Sequence, residues 1–322
     1  MTANDSRILI ATPSRVYGYP PLEPHPPAGG EQLWRATQVG PVLAWAGLDG
    51  QVAMQCPAGE HAWRIDDEVS SLLIVSTDPP VAWVGTVGPH IYRIACDGSL
   101  RRIDAFDALP QRRHWSTPWG GPPHVRSLAM TPDGWIYADV EVGSIMVATD
   151  AGQSWHEVDD AIHPDVHQVL TIPTCPDRLY TNGRHGVYVS EDRGHSWLDR
   201  AEGLGRGYGR AIAVPWDDPL LMLATISDGP HDRENNVHGR LFRTTDGGHA
   251  WQRVLDGLPP TTPRNINTHH VIFTPDATAW LCEGDRVHVS EDRGRTWHLA
   301  CRLDEEVVML SAVLDRQEGV IG

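Results

Sequence analysis

The sequence predicts an all-β fold built from repeated four-stranded units, and three observations predict it. A motif of the form S/T-x-D-x-G-x-S/T-W occurs four times, at 148–155, 190–197, 244–251 and 290–297, with Ala148 and Ala250 as its departures. Its tryptophans, Trp155, Trp197, Trp251 and Trp297, are separated by 42, 54 and 46 residues, the interval of a repeat architecture. Each copy follows an alternating segment (SIMVATD, GVYVSED, GRLFRTTD, RVHVSED) and precedes another (SWHEV, SWLDR, AWQRV, TWHLA), the pattern of half-buried strands. The motif is therefore a hairpin turn. Its Asp accepts backbone N–H groups, its Gly takes a positive φ, and its Trp packs between neighbouring sheets.

These copies resemble the Asp-box (BNR) repeat of the sialidase-like β-propellers, closely over most of 125–300 and loosely elsewhere. The resemblance implies a seven-bladed β-propeller of four-stranded antiparallel blades, with six blades as the alternative and 1–322 as one domain. Residues 66–105 fit a blade whose box has decayed to Cys96-Asp97-Gly98, and 41–65 and 7–40 fit shorter units ending at Trp63 and Trp34. The N-terminal unit, 7–40, lacks an innermost strand, while VVMLSAVLD at 307–315 is a strand without a blade. The expectation is that 307–315 completes the first blade and hides the edges an open array would expose.

In a propeller the box turns lie on one face and the connections that enter each innermost strand lie on the other. Asp150, Asp192, Asp246 and Asp292 are accordingly read as structural. The length is spent opposite them, in 108–125, 255–270 and the insertion 227–239. Long loops on a rigid scaffold are where function concentrates.

Charge and composition narrow the chemistry. The net charge is −16, and all 26 basic residues are Arg, so lysine Schiff-base, pyridoxal-phosphate and P-loop chemistry is excluded. Nucleic acid, which needs a basic face, is disfavoured. No stretch approaches a membrane span. Five cysteines without a C-x-x-C, and no export signal at the start of the sequence, predict a reducing, cytoplasmic setting without a disulfide framework.

Of 17 histidines, ten (90, 114, 124, 163, 167, 185, 231, 238, 269 and 270) fall on the expected loop face. Aligning SLAMTP, QVLTIP, AIAVP and VIFTP puts Arg126, His167, Arg210 and His269 at or within one residue of the same strand start, with His124, Asp165, Tyr208 and His270 close by. Two readings stay open for His124, His167, His269, His270 and Asp165. One is a site for a divalent transition metal (Zn, Fe, Cu or Ni); the other is a polar rim around a water-filled channel. His231, Asp232, Glu234 and His238 form a second ligand-like group, read as a solvated loop. Arg126 and Arg210 are candidates to orient a small polar or anionic substrate, and Tyr208 to act as acid or base. Arg184 and Arg264 on the same face extend that basic set, and Trp115 and Trp119 offer stacking surfaces.

The function expected is therefore a metal-dependent enzyme of hydrolase or lyase type acting on a small molecule. The alternative is a non-catalytic binding or assembly propeller that docks a protein or ligand on the same face. A sialidase is the weakest reading: no Arg-Ile is followed by Pro, and no glutamate is obviously paired with Tyr208. Xyloglucanases of two propellers and sortilin-type receptors, related by the same repeat, are far longer than this sequence, and the photosystem II assembly factor resembles it in architecture alone.

Overall fold

Strands joined by short turns pair with their neighbours in sequence at little loop-closure cost, and the repeat sets the grouping. The computed structural model describes residues 7–25, 32–158, 162–205, 207–230 and 236–315. It is an all-β propeller of antiparallel four-stranded blades. Five separate four-stranded sheets span 69–102, 125–157, 166–199, 208–253 and 271–302. The remaining strands form one eight-stranded sheet, in which Met309–Leu314 lies between Ile8–Ala11 and Leu33–Val39.

Met309–Leu314 pairs antiparallel with Ile8–Ala11, from Ile8↔Ala312 to Ala11↔Met309. Its ladder with Leu33–Val39 is parallel and two pairs long, Val313↔Gln38 and Leu314↔Val39. The strand without a blade thus sits against the N-terminal strands that lacked one. The division of 7–65 differs from the expectation. Trp34 does not end the first unit; it stands in Leu33–Val39, the first strand of the next. Gly40, at φ 52°, turns that strand directly into Val42–Gly47.

First strands contact one another in succession, and Met309–Leu314 contacts both Val271–Phe273 and Leu33–Val39. Between them runs a narrow channel lined by Leu72, Leu170, Ile212, Val271, Phe273 and Leu310. Burial falls outward: Val166–Thr171 and Leu179–Gly183 are buried throughout, whereas the outermost Leu198–Asp199 is exposed. Outer strands of two residues, as at His156–Glu157 and Gln252–Arg253, leave little edge for another chain to pair with. Among the described residues no helix is long and apolar enough to cross a membrane.

The four motif turns repeat one hydrogen-bond pattern. Asp192 accepts the Ser196 backbone N–H at 2.8 Å and the Ser196 hydroxyl at 2.6 Å. Asp150 with Ser154 and Asp292 with Thr296 do the same; Asp246 accepts the Ala250 N–H, where alanine has no hydroxyl to add, and the Thr244 hydroxyl. Arg193 and Gly194 both have positive φ, and a Cβ on Gly194 would come within 2.9 Å of Val158 in the preceding sheet. The glycine is needed for the turn and for close packing against its neighbour. Trp197 buries its ring in one apolar cluster with Val147 and Val158 of the preceding unit and Val169 of its own.

One expectation is overturned. Cys56 and Cys96 form a disulfide between the hairpins of neighbouring units, 40 residues apart in sequence. The absence of C-x-x-C spacing was no guide, because consecutive units pack side by side and bring turns 40 residues apart together. Cys175, Cys282 and Cys301 are free thiols.

Candidate functional site

A β-bulge near the start of the first strand builds the site. The pairing skips from Val125 to Ser127, from Val166 to Gln168 and from Gly209 to Ile212. The residues left out of register are Arg126, His167 and, with Ala211, Arg210. A bulge re-aims the extra side chain and leaves its backbone N–H without a ladder partner. Buried side chains take over as partners. Asp139 accepts the N–H groups of Arg126 and Ser127, each at 3.1 Å, and Thr225 Oγ1 accepts that of Ala211 at 2.8 Å.

His167 is fully buried, and its Nδ1 lies 2.6 Å from the Gly209 carbonyl oxygen, which can only accept. Nδ1 therefore carries the proton. A Cβ at Gly209 would lie 1.7 Å from Asn182 Oδ1, so only glycine lets that carbonyl approach. Nε2 faces Asp165 Oδ1 at 3.0 Å and the Tyr208 hydroxyl at 2.9 Å. The same hydroxyl is 3.3 Å from Asp165 Oδ2. Burial, helped by Arg210 and Arg126, lowers the His167 ring to about 4, so at neutral pH Nε2 is a bare lone pair and its contact with Asp165 is not an ion pair. Burial raises the Tyr208 phenol to about 12, so it remains a donor.

Glu141 completes the cluster. Burial alone would raise its carboxyl, but the Arg126 guanidinium at 2.6 Å more than offsets this and holds it below the ordinary range. Glu141, Asp165 and His167 each place a ligand atom within 4.8 Å of the others. The Tyr208 proton can serve one acceptor at a time, and Asp165 Oδ1, buried, has no donor among the described residues. Donors run short here and acceptors converge.

The structure unites Asp165, His167, Tyr208 and Arg126, and sets Arg210 against them with its guanidinium 4.9 Å above the Tyr208 ring. His124 stands behind, its Nδ1 3.9 Å from Glu141 Oε2. His269 and His270 go elsewhere. Thr268, on the connection 255–270, donates to the His167 carbonyl oxygen at 2.8 Å and so lays that connection across the channel mouth. His269, at φ 65°, then turns into the channel, and His270 faces a groove beside Trp34 and Glu306. Residues 231, 232 and 234 of the second ligand-like group lie outside the described residues; His238 Nδ1 meets Asp228 Oδ2 at 2.8 Å.

Asp165 and Tyr208 form part of the wall of an open pocket of about 760 Å³, shared with Trp119, Arg184, His185 and Asp228. Trp119 is 53% exposed and offers a flat apolar face. The sequence reading missed Glu141. It follows the second strand of its sheet, Ile136–Val140, as Arg184 and Asp228 follow Leu179–Gly183 and Met222–Ser227 in theirs. Tabulating residues at that exit beside those at the bulge would have found it.

No protein-family model matches the chain. It is 25% identical, over 210 residues, to a probable oligoxyloglucan-reducing end-specific xyloglucanase of Neosartorya fischeri, covering 53% of this chain and 24% of that one. The chain thus spans about a quarter of the length of the curated relative it matches. Among solved structures, the Niastella koreensis GH74 enzyme aligns with a TM-score of 0.65 at 11% identity, covering 97% of this chain and 52% of that one. YCF48 bound to a D1 peptide aligns at 0.57 and 13% identity, covering 93% and 87%. These likenesses support the propeller fold.

Proposed function

We propose that this propeller is an enzyme whose reaction centre is a divalent transition-metal site made by Glu141, Asp165 and His167. The observation that carries it is the convergence of acceptors: a histidine with its proton committed to Gly209 O, aiming its other nitrogen at a carboxylate oxygen that has no donor among the described residues. A metal-bound histidine characteristically gives its second ring N–H to a carbonyl in this way. Ligands bound at ~2.1 Å and at right angles lie about 3 Å apart, as His167 Nε2 and Asp165 Oδ1 do. Zn, Fe, Cu and Ni all suit a nitrogen and two carboxylates. Such an ion supplies polarisation of a substrate oxygen or an activated water.

The chain's own residues do the rest. Arg126 keeps Glu141 ionised, Arg210 lies over the Tyr208 ring, and Tyr208 holds a proton at its hydroxyl beside the pocket. Trp119 and Arg184 suit a small, polar or anionic, hydroxyl-bearing substrate, and hydrolysis or elimination is the reaction class. The same reading takes the motif turns as Asp boxes and the eight-stranded sheet as two blades, in a ring of seven. The parallel ladder between the halves of that sheet, two pairs long against four antiparallel pairs on the other side of Met309–Leu314, supports the count.

A second reading is favoured by the xyloglucanase relative: Glu141 and Asp165 as a glycosidase carboxylate pair acting on an oligosaccharide. Against it, Glu141 is committed to Arg126 at 2.6 Å and is a poor proton donor. The test is metal analysis of chain purified without a histidine tag, with xyloglucan oligosaccharide hydrolysis assayed with and without chelator. About one transition-metal ion per chain, lost in both His167→Ala and Glu141→Gln, is expected. Folded, metal-free wild type sinks the metal reading, and chelator-resistant release of sugar would establish the second.

A further inference from the structure

The face opposite the pocket carries a second convergence of ligand atoms. Cys56 ends the strand Gln51–Cys56, His61 lies in the partner strand Gly59–Arg64, and Cys96 opens the turn that leads to Leu100–Arg102 in the next sheet. Cys56 Sγ, Cys96 Sγ and a His61 ring nitrogen all lie within 4.8 Å of one another. Two further contacts hold the three in place. Trp63 Nε1 donates to the Gly98 carbonyl oxygen at 3.0 Å, pinning the Cys96 turn to the neighbouring unit, and His61 stacks on Trp63 at 5.9 Å between centroids. The disulfide alone does not call for an imidazole at its side.

We propose that this cluster is a redox-gated site for a thiophilic divalent ion of the zinc class. With the disulfide closed, the sulfurs are bonded to each other and the site is shut. A dithiol reductant opens it: the Cys56–Cys96 bond accepts two electrons and two protons, and the reductant leaves as its own disulfide. The two thiols then lose their protons to solvent as they bind the ion, with a His61 ring nitrogen as third ligand and a water at the fourth position. A tetrahedral site with bonds of ~2.3 Å to sulfur needs sulfurs about 3.7 Å apart. The Cα atoms of Cys56 and Cys96 are 6.8 Å apart, so rotation of the two side chains supplies that separation without moving the strands. Cys96 and His61 are only partly buried, which leaves a path for both reductant and ion.

Cobalt(II) is the probe, because thiolate ligation gives a charge-transfer absorption that the oxygen-rich site on the other face cannot produce. The full chain, reduced and freed of reductant, is expected to take up Co(II) with that band, and the oxidised chain to show no such band. Cys96→Ser should abolish the band. His61→Ala keeps the disulfide and so folds; it should weaken binding by more than about tenfold, the lower bound for loss of even an outer-shell partner. The proposal is overturned if the reduced chain shows no band, if the band persists in Cys96→Ser and so belongs to other thiols, or if His61→Ala binds as tightly as wild type. It is equally overturned if the reduced chain unfolds, since the disulfide would then be structural only.

Discussion

The sheets of 125–302 and the units of 33–102 solve one problem in two ways. Each must lock its outer hairpin against the next unit, because a propeller blade has no covalent tie to its neighbour beyond the chain itself. In 125–302 the lock is a hydrogen-bonded turn with a buried tryptophan beneath it: Asp292 holds Thr296, and Trp297 packs among Val254, Leu223 and Leu241. In 33–102 that turn is missing, and a disulfide from Cys56 to Cys96 with the Trp63–Gly98 bond takes its place. Packing is spread over many contacts and is indifferent to redox state. A single covalent bond is strong but conditional.

Three measurements would break or sharpen this contrast. The largest effect is expected from Trp197→Ala, whose ring is 8% exposed among Val147, Val158 and Val169. Denaturant unfolding should show a loss of about 3–5 kcal/mol, the same with and without reductant. A loss below ~1 kcal/mol would mean that the tryptophans do not lock the sheets. Next comes Cys96→Ser. In oxidising, chelator-treated buffer it should cost about 2–4 kcal/mol, and the gap to wild type should close when reductant is added. A gap that survives reduction would place the lock in packing on both sides of the molecule.

The smallest effect is acid sensitivity of a motif turn. Against the cost of its own burial, hydrogen bonds from the Thr296 N–H and hydroxyl, Ser290 and Arg295 hold Asp292 at about 2. Its folded value is below the unfolded one of ~3.9, so its contribution is present above pH ~4 and lost as pH falls towards 2. Asp292→Asn should flatten the fall in melting temperature over that window. A profile identical to wild type would show that the carboxylate's charge does not matter to the turn.

The repeat itself was legible because each motif residue serves a local need: Asp192 bonds four residues ahead, and Gly194 takes a φ of 93°. The start of each first strand was legible too, since the apolar runs after Arg126, His167 and Arg210 align. Glu141 was not, because its relation to Asp165 and His167 exists only across the gap between adjacent sheets. Nor was the parting of His269 from His167, which depends on a left-handed turn and on Thr268 bonding to a carbonyl 101 residues away.

By itself, then, the sequence determined the type of unit, its turns, and which residues stand at the start of each first strand, because short-range bonding and alternation carry that information. The tertiary structure decided which of those residues meet. Bulges rotate Arg126 and His167 out of register, a close-packed glycine brings the carbonyl that directs the His167 lone pair, and the packing of one unit against the next sets Cys56 beside Cys96. The last two depend on contacts between neighbouring units some 40 residues apart along the chain, where no local rule of spacing applies.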